Sequence, residues 1–151
     1  MLSDEKIIGD LEEHASIAVL RSLELLNALK LYNESRYFHA HEILEDQWKK
    51  ETGAIKTYFH ALIQICLSLV KVFEKPNEKG AKDQSERAYL KLDKLLSSNE
   101  LTKEGRAEII QLRYTVKQLN SDLLTKKKKD EIIIPKIGPN WKHLFRQNGN
   151  S

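Results

Sequence analysis

The chain has 151 residues, the length of one ordinary domain, and such a domain buries about two-thirds of the surface of its unfolded chain. With 40% hydrophobic and 31% charged residues, it is a globular sequence rather than a disordered one. Six glycines and three prolines are too few for a turn-rich all-β protein. The single cysteine, Cys66, excludes an intrachain disulfide and a multi-cysteine metal site. No glycine-rich phosphate loop occurs, which excludes the standard nucleotide-binding motifs.

Charge is distributed unevenly along the chain. Residues 1–124 contain 18 Lys and Arg against 20 Asp and Glu, whereas residues 125–151 contain 7 against 2. Domains that bind nucleic acid are usually basic over one broad face, so nucleic acid is not an expected partner here. The exception is weak contact through the one basic run, Lys126, Lys127, Lys128 and Lys129.

Helical spacing predicts five helices in the first 124 residues. The first begins near Ser3, with Asp4 and Glu5 in its first turn, and ends at the turn Asn33–Ser35. The others are predicted at Arg36–Lys50, Ala54–Glu74, Glu78–Leu96 and Thr102–Leu124. We therefore expect an all-α protein, a compact bundle of about five antiparallel helices over residues 1–124.

The third predicted helix is apolar enough to raise the question of a membrane span. Lys56, His60, Gln64 and Ser68 recur within it every four residues, which places a polar stripe on one side. This pattern is typical of a central bundle helix rather than a lipid-facing one. The first residues also lack the basic start and apolar core of a secretory signal. The sequence thus predicts a cytoplasmic protein without a membrane partner.

Residues 125–151 form a basic, partly apolar tail, in which an extended Ile132–Pro135 segment precedes Trp141, Leu144 and Phe145. The tail either packs on the bundle or extends from it to meet a partner. The first arrangement is favoured, because an exposed run of three isoleucines promotes aggregation.

A polar cluster is predicted on the second helix. His41 and Glu45 are four residues apart and share a face with Tyr37 and Trp48, so they are expected to point toward the core. Their candidate partners are Gln64 on the third helix and Tyr37. The favoured interpretation is a buried His–Glu–Gln cluster that fixes helix packing, in which Glu45→Ala costs about 1–3 kcal/mol. The alternative is a pocket in which His41, Glu42 and Glu45 carry out acid–base chemistry.

Metal-assisted hydrolysis is a weaker alternative for the same segment. His41-Glu42-x-x-Glu45 is similar to the zinc-protease helix, with His41 and Glu45 as weak candidate ligands and Glu42 as the general base. A third ligand would have to come from His14, His39 or His60, and no motif places any of these. No acidic residue stands three positions before a histidine, so the di-iron pattern is absent. The sequence therefore indicates no metal and no cofactor.

The same segment resembles a known family. The matching residues are Asn33, Tyr37, Phe38, Ala40, His41, Glu42, Glu45, Trp48, then Leu62-Ile63-Gln64, and later Asn77, Gly80 and Ala81. On these residues, the stretch from about 31 to 96 resembles the all-helical family catalogued as domain of unknown function 309. Ser35 and Ala61 stand where that family has glycine, and Cys66 stands where alanine is usual. The resemblance implies a helical bundle and no particular activity.

These patterns leave two classes of function. The favoured one is a non-catalytic binding or scaffold module that contacts an unidentified protein partner or a second copy of itself as a homodimer. The alternative is a small-ligand binder or metal-assisted hydrolytic enzyme that uses His41, Glu42 and Glu45.

Overall fold

A computed structural model of the protein describes residues 23–139 and 141–146. Helix α1 comprises residues 23–33 of this part, and four further helices follow: α2 (Tyr37–Lys50), α3 (Gly53–Leu69), α4 (Glu78–Leu96) and α5 (Lys103–Leu124). The described residues contain a single isolated β-bridge, between Leu101 and Phe145, and no strand. The predicted all-α bundle is confirmed. The predicted start of the first helix, with Ser3, Asp4 and Glu5, lies outside the described residues.

Successive helices from α2 to α5 are antiparallel. Trp48 near the end of α2 contacts His60 near the start of α3, and Ser68 late in α3 donates a hydrogen bond to the Ala81 carbonyl early in α4. Asn120 of α5 reaches back to Ser85 of α4, with 2.8 Å between its Nδ2 and the serine Oγ. Helix α3 is the central element, because eleven of its seventeen residues are buried between its neighbours.

Helix ends follow local chemistry. Asn77 and Thr102 are the N-caps of α4 and α5, and their side chains accept hydrogen bonds from the amides of Gly80 and Gly105. At the end of α1, Arg36 N–H bonds to Leu31 O and Ser35 N–H to Tyr32 O. This is the Schellman arrangement, and it places Ser35 in the left-handed region at φ 64°.

The third helix ends differently from its prediction. The α-helix stops at Leu69, and Val70–Glu74 form one π-helical turn, closed by the bond from Lys75 N–H to Val70 O. Lys75 and then Pro76 follow, and the residue before a proline is restricted to extended backbone, which ends the helix. By length and composition Gly53–Glu74 passes for a membrane span. In the fold it is the central helix, with 67% of its most apolar stretch buried.

The segment after α5 lies against the bundle and shares its core. Its buried residues are Ile132, Pro135, Ile137, Trp141, Leu144 and Phe145. Phe145 packs edge-on against Tyr58, Trp141 packs edge-on against Phe59, and the Tyr32 hydroxyl donates to the Pro135 carbonyl. The tail therefore covers the side of α3 that α2 and α4 leave open.

Candidate functional site

The motif histidine and glutamate form an ion pair along α2. His41 Nε2 lies 3.0 Å from Glu45 Oε2, and His41 Nδ1 lies 2.9 Å from the Phe38 carbonyl oxygen. Both contacts come from the same helix, at the i,i+4 and i,i−3 spacings that α-helical geometry brings together. The pair therefore needs no second helix to orient it.

The burial of this pair differs from the sequence-based expectation. The His41 side chain is 13% exposed and that of Glu45 is 43% exposed, so the pair lies at the edge of the bundle. Gln64 is buried, but it makes no hydrogen bond to either residue, and its Oε1 has no partner among the described residues. The expected buried His–Glu–Gln cluster is thus a surface pair and a separate buried glutamine. Tyr37 and Leu44 are buried on one face of α2, and His41 and Glu45 lie beside that face, nearer the solvent.

Tyr37 and Trp48 also lie in separate parts of the structure. The Tyr37 ring is buried between the rings of Tyr32 and Phe73, and its hydroxyl faces Ser35 Oγ at 3.5 Å rather than His41. Trp48 lies at the other end of α2, with its ring centroid 5.1 Å from that of His60. The five residues predicted as one cluster are therefore spread over the length of α2 and the middle of α3.

The surroundings of the motif offer little for catalysis. Glu42, the candidate general base, is exposed on the outer face of α2. Within residues 23–139 and 141–146, no three His, Cys, Asp or Glu side chains are grouped closely enough to hold a metal ion. Cys66 is fully buried, and this burial, with a smaller effect from Glu74, raises the pKa of its thiol well above the usual range. The thiol is therefore protonated and behaves as a packing group.

Trp48 instead lines a cleft between the start of α3 and the end of α4, which we call the Trp48 cleft. Its volume is about 260 Å³, and it is lined by Trp48, Gly53, Lys56, Thr57, His60, Lys91 and Lys94. Lys56 Nζ lies 4.8 Å from the centre of the indole ring, within the range of a cation–π contact. No carboxylate lines the Trp48 cleft itself, and Glu100 lines the adjoining groove.

The bases of the Trp48 cleft repel one another. Partial burial lowers the pKa of His60 below its ordinary 6.5, and the charges of Lys91 and Lys56 lower it further. Partial burial likewise lowers the pKa of Lys91, with further effects from Arg87 and Lys94. Like charges held close together destabilise their own charged forms, so an anion in the cleft would relieve this repulsion.

Sequence reasoning placed Lys56 and His60 on a polar stripe but did not bring Lys91 and Lys94 to them. A signal was present, because Arg87, Lys91 and Lys94 follow one another on α4 at spacings of four and three. Spacing within α4 does not reveal which element packs against this basic face. In the structure that element is the first turns of α3.

One comparison with known proteins finds a match, and it covers the part of the chain that contains the motif. Comparison with curated proteins and with solved structures finds no match. A family model matches residues 25–83, a range that contains every motif residue from Asn33 to Ala81 and ends before the predicted limit at 96. The match covers α1 to the first turn of α4, including Trp48, Lys56 and His60. Over residues 25–83 the chain resembles the family described as Domain of unknown function (DUF309).

Proposed function

We propose that this protein is a non-catalytic binding module whose Trp48 cleft takes an acidic segment of a protein partner. The observation that carries the proposal is the lining of the cleft: three lysines and a histidine line it with an indole, and no carboxylate of the described residues lies among them. A partner carboxylate would meet these cations, and the neighbouring part of the partner chain would meet the ring.

The shape of the surface favours an extended segment over a single small ion. The Trp48 cleft shares Gly53, Thr57 and Lys94 with a second groove of about 390 Å³. The two grooves therefore adjoin along the ends of α3 and α4, and Glu100 is the one carboxylate in the lining of the second. The indole and the aliphatic lysine stems provide apolar contact beside the charges, a combination common in protein interfaces.

The His41–Glu45 pair supports binding rather than catalysis. Both ring nitrogens of His41 already face acceptors of its own helix, and the ion pair lies outside the Trp48 cleft and the adjoining groove. A general base needs a free lone pair directed at a substrate, which this arrangement does not provide.

The proposal is tested by titrating the ¹⁵N-labelled protein with an acetylated octaglutamate peptide. The reporters are the Gly53 amide and the Trp48 indole N–H, since both residues line the Trp48 cleft. We expect saturable shifts at both, and binding that weakens as salt increases. Lys91→Ala/Lys94→Ala should weaken binding about tenfold, because two of the facing charges are lost.

The matched control is Lys75→Ala/Lys79→Ala, which removes the same charge at two exposed positions near the start of α4 that line neither groove. We expect this control to bind within about twofold of the wild type. Equal weakening by both double variants would mean non-specific attraction and would overturn the proposal, as would a lack of saturable shifts. A dimer in light scattering that Lys91→Ala/Lys94→Ala dissociates would replace the acidic partner by a second copy of the chain.

The pH dependence provides a second readout. His60 faces Trp48 of α2, Lys56 of its own helix, and Lys91 and Lys94 of α4, and its pKa is lowered in this setting. A bound carboxylate favours the protonated ring, so affinity should rise as the pH falls from about 6.5 to 5, where glutamate remains ionised. An NMR titration of the His60 ring should show a higher pKa with the peptide than without it.

A further inference from the structure

A second basic cavity lies at the opposite end of α4, far along the helix from the Trp48 cleft. Its volume is about 270 Å³, and it lies between the π-helical turn, the first turns of α4 and the segment after α5. Five lysines line it: Lys71, Lys82, Lys126, Lys127 and Lys129. We call this cavity the lysine pocket. Glu78 is the single carboxylate in its lining.

Most of this charge is not neutralised by the protein. Lys127 pairs with the buried Asp122, with 3.3 Å between Nζ and Oδ1. Lys71, Lys82, Lys126 and Lys129 form no ion pair with any carboxylate in the part of the chain that the structure describes. Four ammonium groups without an ion pair thus line one cavity, and Glu78 is the single carboxylate in its lining.

The backbone adds positive potential at the same place. The cavity includes Asn77 and Glu78 at the N-terminus of α4, a helix of 19 residues whose first amides carry partial positive charge. The π-helical turn positions Lys71 beside this terminus. A Cβ at Gly80 would lie 2.7 Å from Lys71 Cδ and 3.0 Å from Nζ, so the absence of a side chain at Gly80 lets the lysine cross the helix there. A cation beside a helix N-terminus is electrostatically unfavourable, and an anion would make the placement favourable.

The remaining lining is apolar and comes from Val72, Pro76, Ala81, Leu123 and Ile132. The cavity volume of about 270 Å³ is room for an acidic head group and a short hydrocarbon body. Ligand sites commonly combine such an apolar wall with a few convergent polar groups.

We propose that the lysine pocket binds a small amphiphilic anion, with a phosphate or carboxylate held by the lysines and a short apolar body against Val72, Leu123 and Ile132. The site and the ligand class are separate from those of the Trp48 cleft, and either proposal stands without the other.

The probes are butyl phosphate and inorganic phosphate, titrated into the full-length ¹⁵N-labelled protein. The Gly80 amide reports on the lysine pocket, and the Gly53 amide reports on the Trp48 cleft. We expect a saturable shift of Gly80 with little movement of Gly53, and a dissociation constant for butyl phosphate several-fold below that for phosphate, because only the former fills the apolar wall. Equal affinity for the two probes, or equal movement of both glycines, would overturn the proposal.

The basic run supplies a matched pair of variants. Lys126 and Lys129 line the pocket, whereas Lys128 lies in the same exposed run and does not. Lys129→Ala should weaken butyl phosphate binding about threefold or more, and Lys128→Ala should leave it within about 1.5-fold. Equal weakening by both would identify a diffuse surface charge effect and reject a defined pocket.

A lipid head group offers the same anionic group beside an apolar body as a free amphiphile does. Binding to vesicles distinguishes these two sources of the ligand. With vesicles of phosphatidylcholine and phosphatidylglycerol we expect no co-sedimentation at physiological salt. Co-sedimentation that Lys126→Ala/Lys129→Ala abolishes would overturn the small-molecule assignment and make the pocket a membrane contact. As a further check, Gly80→Ala should displace the Lys71 side chain and weaken butyl phosphate binding, while circular dichroism stays that of a folded bundle.

Discussion

Ser35 adopts a backbone conformation that glycine adopts more readily. Its φ of 64° lies in the left-handed region, and it occupies the position after the end of α1 where glycine is the preferred residue. The resembling family has glycine there, and the chain keeps the turn despite its serine. Within the part of the chain that the structure describes, the one hydrogen bond of the Ser35 side chain is the long one from the Tyr37 hydroxyl.

We predict that Ser35→Gly stabilises the protein by about 0.5–1 kcal/mol, because the relieved strain exceeds the greater freedom of glycine in the unfolded chain. Urea unfolding measures the change. Ser97→Gly is the control, since Ser97 ends α4 at φ −83°, where glycine relieves no strain. A control variant stabilised as much as Ser35→Gly would contradict this explanation.

The ion pair on α2 gives a second prediction about single residues. A buried pair would make Glu45→Ala cost about 1–3 kcal/mol. For the half-exposed i,i+4 pair that the structure shows, we expect only about 0.3–0.5 kcal/mol in urea unfolding, and less in high salt. Glu42→Ala, at an exposed neighbouring position, should be close to neutral. A cost above about 1 kcal/mol for Glu45→Ala would point to burial of the pair.

At the scale of elements, α5 and the tail meet where there is no room for a side chain. The N-terminal turn of α5 lies under residues 143–146: Thr102 N–H bonds to Leu144 O at 2.8 Å, and Arg146 N–H bonds to Glu100 O at 2.7 Å. A Cβ at Gly105 would overlap the Leu144 carbonyl oxygen. Glycine inside a helix normally costs stability, and here it permits the close approach of two backbones.

We therefore predict that Gly105→Ala destabilises the protein by about 1–3 kcal/mol in urea unfolding, although alanine is the better helix former. Gly138→Ala is the control, because a Cβ there would meet the Glu108 carboxylate, the movable end of a flexible side chain. That carboxyl has a raised pKa because of burial, so turning it toward solvent is not penalised. A stabilised Gly105→Ala variant would contradict the close contact.

Helical periodicity predicted most element boundaries and missed one. The starts of α4 and α5 follow from Asn77 and Thr102, whose side chains cap them, and these were predictable because capping is local chemistry. The π-helical turn at Val70–Glu74 was not predictable, because five residues of apolar spacing fit an α-helix equally well. The turn matters for the lysine pocket, since it carries Lys71.

At the scale of the whole molecule, the sequence predicted the family resemblance and the bundle, but neither basic cavity. Each cavity joins residues from elements far apart in the chain: Trp48 with Lys94 in one, and Lys71 with Lys129 in the other. Which helix faces meet depends on packing of the complete core, and spacing within one helix carries no information about it. Lys128 does not line the lysine pocket although its neighbours do. This difference likewise depends on the local backbone, namely the left-handed Lys126, at φ 56°, and the short 3₁₀ turn Lys129–Glu131.

Docking of the tail on the bundle affects both folding and ligand binding. The bond from Tyr32 to Pro135 spans 103 residues of sequence, whereas the helix pairs form from neighbours in the chain. Because contacts of such high sequence separation form slowly, we expect the helices to assemble before the tail closes. Ile132 and Lys129 belong both to the tail and to the lysine pocket, so release of the tail dismantles the pocket. By thermodynamic linkage, an occupant of that pocket slows hydrogen exchange of the tail amides, and the tail in turn sets the occupant's residence time.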